Sequence, residues 1–157
     1  MDTASFPVRL RPLHPAHAIL LGFPFPFFLA AFLSDIAYSN TFQIQWANFA
    51  SWLVAGGLLG GGFALLWASI DLFRFRGART RRRLLYFGLL LAMWLIGFVN
   101  ALVHAKDAWA TMPEGLYLSA LTTLLGLVAV WIGYTGFPLQ KVACWVGSLF
   151  LSRASPC

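Results

Sequence analysis

Few side chains in this sequence can bind a metal, hold a cofactor or move a proton: three histidines, five carboxylates and two cysteines among 157 residues. Two of the histidines stand in His14-Pro15-Ala16-His17. Proline suits the first turn of a helix, and residues three apart on a helix share a face. If Asp71 meets them, two imidazoles and a carboxylate can hold a divalent metal with an open position. The same set can bind a quinone head group or pass protons. In the plainer reading, Asp71 caps and pairs with His17 or Arg74 and fixes a hairpin. Asp35, Asn100 and His104 form a second polar set, for which a structural hydrogen bond is the favoured use. No nucleophile, paired carboxylate or phosphate-cradling loop is apparent. Gly56 to Gly62 lacks the Lys-Ser/Thr that a phosphate-binding loop needs. Catalysis by this chain alone is therefore not expected. Cys144 and Cys157 lie in the last 14 residues, with neither a zinc spacing nor a disulfide framework.

The elements that must position these residues follow from composition. The chain is 60% hydrophobic and 10% charged, against about 45–50% and about 25% in soluble domains. Its mean hydropathy is +0.76. A soluble enzyme, a secreted disulfide scaffold and a disordered chain are excluded. Apolar runs fall at about 16–38, 49–73, 84–103 and 116–137, each near the roughly 20 residues that cross a bilayer core as a helix. They are continuous rather than alternating, so helices are expected and a barrel is not. The expected fold class is all-α: one membrane domain, 1–157, built as a four-helix bundle.

Six arginines crowd Phe73 to Arg83, between the second and third runs. The positive-inside rule makes that loop cytoplasmic, and both termini with it. Arg9, Arg11, Lys141 and Arg153 agree. The opposite loops, 39–48 and 104–115, carry Lys106, Asp107 and Glu114 and no arginine. A bacterial inner membrane is the expected location, and nucleic acid is not an expected partner. The first run is too long for a signal peptide, ends in Asp35 and lacks a small-x-small cleavage site, so it reads as a retained span. This topology puts His14, His17 and Asp71 at the cytoplasmic end, because reflecting the first hairpin about Ile44 brings His17 level with Asp71. Asp35, Asn100 and His104 belong to the other end. A bis-histidine haem is disfavoured, since about 18 residues at 1.5 Å rise separate the levels of His17 and His104 by roughly 27 Å. A transition metal, a single-His haem and a quinone stay open as cofactors.

Gly56/Gly60 and Gly57/Gly61 recur at four-residue spacing, with Gly88/Ala92 and Gly97/Ala101 similar. Small residues let helices approach closely in lipid. Packing within the bundle is favoured here over a homodimer face or a groove for a flat cofactor. Pro24 and Pro26 should kink the first span. Tyr38, Trp46, Trp52, Trp109 and Tyr117 on one side, and Trp67, Phe73, Phe75, Tyr86, Trp131 and Tyr134 on the other, fit interfacial anchors. Val142, Trp145, Val146, Leu149 and Phe150 share one helical face, which predicts a short interfacial helix over 142–152.

His14-Pro15-Ala16-His17 leading into Phe23-Pro24, then Asp35, Trp46 to Trp52, the glycine-rich second span and Asp71, resembles an uncharacterised bacterial family of four-span membrane domains. That family is known only as a domain of unknown function with an N-terminal His-Pro motif. The likeness covers roughly residues 12–104. It implies His14, His17 and Asp71 as the positions to watch, and companionship with membrane-linked redox proteins. Two departures stand out. Leu84, Leu85 and Tyr86 occupy the place where a histidine is expected to open the third span, and His104 stands where an arginine would close it.

The expected function is a non-catalytic membrane subunit that scaffolds or anchors a larger complex of redox type. Other membrane subunits or further copies of the chain would be its partners within the bilayer. The alternative is an electron-transfer protein that binds a metal, haem or quinone through His14, His17 and Asp71. A small transporter ranks last, because no charged residue sits at mid-membrane.

Overall fold

The structure is a computed structural model that describes residues 15–74, 81–106 and 111–135, with the backbone of 10–11 and 137–138. His14, Phe75, Trp109, the cysteines and the helix expected over 142–152 lie outside the described residues. Leu10–Arg11 (β1) is followed by α1 (Pro15–Gly22), α2 (Pro24–Thr41), α3 (Ile44–Arg74), α4 (Arg81–His104), α5 (Glu114–Tyr134) and Phe137–Pro138 (β2). Four stretches are long and apolar enough to cross a membrane, with α1 and α2 forming the first together.

Prolines break that first span where the sequence predicts a kink. Pro24 and Pro26 have no N–H, so the carbonyls of Leu20 and Gly22 lose their ordinary helical donors. Phe23 N–H turns to Leu20 O at 3.4 Å instead. At the far end Phe42 takes a left-handed conformation (φ 54°), and its N–H bonds to Tyr38 O. This closes α2 and lets α3 start at Ile44, earlier than the apolar run suggests. The last helix ends at Tyr134 rather than 137, because Phe137–Pro138 pair antiparallel with Leu10–Arg11. That pairing joins the segments flanking the bundle at its arginine-bearing end.

The helices pack in a ring: α2 lies beside α3 and α5, and α4 beside the same two, so α2 faces α4 across the centre. Each helix buries a residue every third or fourth position. Across the first span these include His17, Leu21, Pro24, Phe28, Ala31 and Asp35. On α4 they include Tyr86, Leu90, Met93, Gly97, Asn100 and His104. On α3 the sequence runs Ala47, Ala50, Val54, Gly57, Gly61, Ala64, Ala68, and on α5 Gly115, Ser119, Thr122, Gly126, Ala129, Gly133. Alternating steps of three and four make a seven-residue repeat, the pattern of left-handed bundles whose helices cross at about 20°.

Size is divided between the diagonals. The first span and α4 supply the large side chains that meet at the axis, whereas α3 and α5 supply small ones that let their backbones close in. Phe28 shows the fit. A Cβ on Gly57 would lie 2.9 Å from its ring, and one on Gly97 would lie 3.1 Å from it. The buried positions of the first span and α4 also keep one register, each pair 69 apart in number: 17 with 86, 21 with 90, 24 with 93, 28 with 97, 31 with 100 and 35 with 104. Two hairpins of like direction thus build the bundle.

Candidate functional site

The polar residues gather at the two ends of this apolar core. At the end away from the arginines, α2, α4 and α5 bring four of them together. His104 Nε2 lies 2.9 Å from Asp35 Oδ1. Ser119 Oγ–H donates to Asp35 Oδ2 at 2.5 Å. Asn100 Nδ2–H donates to Ser119 Oγ at 2.9 Å. All four residues are buried, and Asp35, Asn100 and Ser119 have no exposed surface. The pairing crosses the diagonal between α2 and α4. A Cβ on Gly115 would fall 3.0 Å from the His104 ring, so the absence of a side chain there lets α5 close over it.

Hydrogen-bond valence fixes the proton count of this group. His104 Nδ1 faces the Asn100 carbonyl at 3.0 Å, which can only accept, so Nδ1 carries a proton. Nε2 faces a carboxyl oxygen. Either it carries a proton toward a carboxylate, or it accepts one from a carboxylic acid. In both arrangements the pair holds one shared proton and its net charge is zero, which lowers the cost of burial in an apolar environment. Ser119 accepts from Asn100 and donates to Asp35, and so aligns the carboxyl rather than the imidazole. A serine nucleophile activated by histidine needs the hydroxyl on the imidazole, whereas Ser119 Oγ lies on the carboxyl group, so the group does not have the arrangement of a hydrolytic triad. Asn100 Oδ1 is buried without a hydrogen-bond partner.

At the arginine-bearing end, His17 Nε2 and the Tyr86 hydroxyl share a hydrogen bond of 2.9 Å, and both side chains are buried. Trp67 of α3 stacks on the imidazole with ring centroids 5.9 Å apart. Tyr86 meets the same ring edge-on at 6.0 Å. Tyr134 O–H donates to Ala18 O at 2.7 Å, which ties α5 to α1. Arg82 donates to Thr135 Oγ1 and holds the start of α4 to the end of α5. Asp71 is on the exposed side of α3, and His14 lies outside the described residues. Among the described residues, no three His, Cys, Asp or Glu side chains gather closely enough to hold a metal ion. The two described members of the expected ligand set thus differ in setting: His17 is buried against aromatic rings, and Asp71 is exposed, though near enough for its charge to act on Tyr86, the partner of His17.

The glycines of α3 are occupied from within. A Cβ on Gly56 would lie 2.5 Å from the Phe27 ring, one on Gly60 2.7 Å from Phe23 Cβ, and one on Gly61 3.1 Å from Met93 Cε. Sequence reasoning missed Ser119 as the fourth member of the outer cluster, and it took Tyr86 for a lipid anchor rather than the partner of His17. The spacing carried the signal. His17 to Asp35 and Tyr86 to His104 are the same number of residues apart, a whole number of helical turns, so facing helices in register must pair both ends.

The model of a family described as predicted membrane protein (DUF2231) matches residues 13–137, most of the chain. The chain belongs to this family. No curated protein and no solved structure matches it. Membership in DUF2231 agrees with the four-span resemblance drawn from the His-Pro motif, and every residue of both polar clusters falls within the matched range.

Proposed function

We propose that this DUF2231 chain is a non-catalytic membrane subunit that anchors a larger complex of redox type. In this reading it resides in a bacterial inner membrane with both termini and the arginine-rich loop cytoplasmic. The observation that carries the reading is the filled interior. Leu21, Phe28, Val54, Leu90 and Met93 are at most 1% exposed and occupy the axis between the two polar ends. The polar groups at each end bond chiefly to one another. A bundle packed in this way offers a surface to partners rather than a path to a solute, which leaves transport unsupported. The redox character of the partner rests on the family resemblance.

The test is purification of the tagged full-length chain from its native membranes in mild detergent, followed by identification of associated proteins and an absorbance spectrum of the complex. The expected result is a stoichiometric partner with a redox chromophore that leaves the membrane fraction when the gene for this chain is deleted. A chain that purifies alone, with a chromophore lost in His17→Ala, would overturn the proposal in favour of the cofactor-binding alternative.

A further inference from the structure

Arg81, Leu84, Leu85, Gly88 and Leu89 line a hollow on the outer face of α4. Their spacing (i, i+3, i+4, i+7, i+8) makes one stripe down the first turns of the helix. Leu84 and Leu85 are 47% and 54% exposed, so the stripe faces out of the bundle. Gly88 forms its floor. Among the described glycines it is the only one at which an added Cβ would meet nothing within 4 Å. Every other described glycine receives a side chain of this protein. The missing side chain at Gly88 serves no contact inside the bundle.

The two ends of the hollow differ in chemistry. Arg81 stands where α4 leaves the membrane, two helical turns or about 10 Å from Gly88. A guanidinium binds phosphate oxygens bidentately, and its long stem can lie along apolar surface while the charge stays at the interface. Neighbouring Arg82 is already bonded to Thr135. A cation at the interface above an apolar trough fits a molecule with an anionic head and a hydrocarbon tail. A helix from a second copy could close in over Gly88, but it would cover Arg81 and need a carboxylate opposite that charge.

We propose that this face of α4 binds one anionic phospholipid, with its phosphate on Arg81 and an acyl chain seated over Gly88 between Leu84, Leu85 and Leu89. Native mass spectrometry of the full-length protein, offered phosphatidylglycerol or phosphatidylcholine, tests the site. The wild-type chain should retain one phosphatidylglycerol in preference to phosphatidylcholine by about fivefold, the factor expected for one basic residue near an anionic surface. Arg81→Gln should abolish the preference. Gly88→Leu, which fills the trough without changing charge, should lower retention of both lipids. Arg74→Gln, at the end of α3, should leave the preference intact. All three positions are outside the core, and thermal midpoints no lower than that of the wild type will verify that the variants are folded. Equal retention of both lipids by the wild-type chain would overturn the proposal, as would a preference that survives Arg81→Gln. A dimer that Gly88→Leu dissociates would overturn it in favour of a second copy.

Discussion

Asp35 shows how little separates a tolerated from a ruinous change at a buried polar position. In Asp35→Asn, the new amide N–H can donate to His104 Nε2 while its carbonyl oxygen accepts from Ser119, so every bond of the cluster persists with a neutral imidazole. Its stability in detergent should stay within about 1 kcal/mol of the wild type, the scale of one hydrogen bond between membrane helices. His104→Leu removes the partner of Asp35 Oδ1 and leaves Ser119 as the one remaining donor to a buried carboxyl group, a loss of about 3–5 kcal/mol. The double variant Asp35→Leu/His104→Leu should recover much of it. Thermal midpoints of the three proteins check the order, and a destabilised Asp35→Asn would refute the shared-proton assignment. At the other end, Tyr86→Phe takes away the hydroxyl bonded to His17 Nε2 and should cost about 1 kcal/mol. The pairing of Asp35 with His104 was within reach of the sequence, because both are ionisable and share a depth. Ser119 was not, since a serine in an apolar span gives no sign of whether it bonds its own backbone or a neighbour. Thr122 and Thr123, close by on α5, take the backbone option.

Among the elements, α3 and α4 carry glycines of opposite use. Gly57 is in contact with Phe28 on the axis, and Gly57→Leu should overpack the core and lower stability by about 1–3 kcal/mol. Gly88→Ala meets open space and should instead stabilise the helix by up to about 1 kcal/mol, the propensity difference between the two residues. Denaturation of the two variants in one detergent tests this asymmetry, which the helical sequence conceals because both glycines sit in apolar runs. The spans themselves were legible almost to their ends, since about 20 apolar residues in a row have few other fates. The break at Phe23 was legible too, from Pro24 and Pro26. What the apolar runs could not supply were the ends of the helices. The left-handed Phe42 that lets α3 start early and the strand pairing that stops α5 short depend on neighbours brought in by the fold.

At the scale of the whole molecule, the constant register between the first span and α4 divides the bundle into two hairpins that complete each other. Coexpressed fragments 1–77 and 78–157 should therefore associate in the membrane, and a tag on one should recover the other in stoichiometric amount. Failure to associate would mean that the connecting loop, rather than the interlocked seam, holds the halves together. The register escaped sequence analysis because it pairs unlike residues, histidine with tyrosine and aspartate with histidine, and no identity search would flag it. The two polar pairs also act as a gauge of bilayer thickness. They are held about 27 Å apart along the axis by the helical rise, close to the roughly 30 Å of a hydrocarbon core. In a thicker bilayer at least one pair would be drawn into the acyl region unless the lipid thinned around the protein, at a fraction of a kcal/mol for each ångström of mismatch. The polar pairs thus favour a narrow range of lipid chain lengths, which reconstitution into bilayers of graded thickness would show as a maximum in thermal stability.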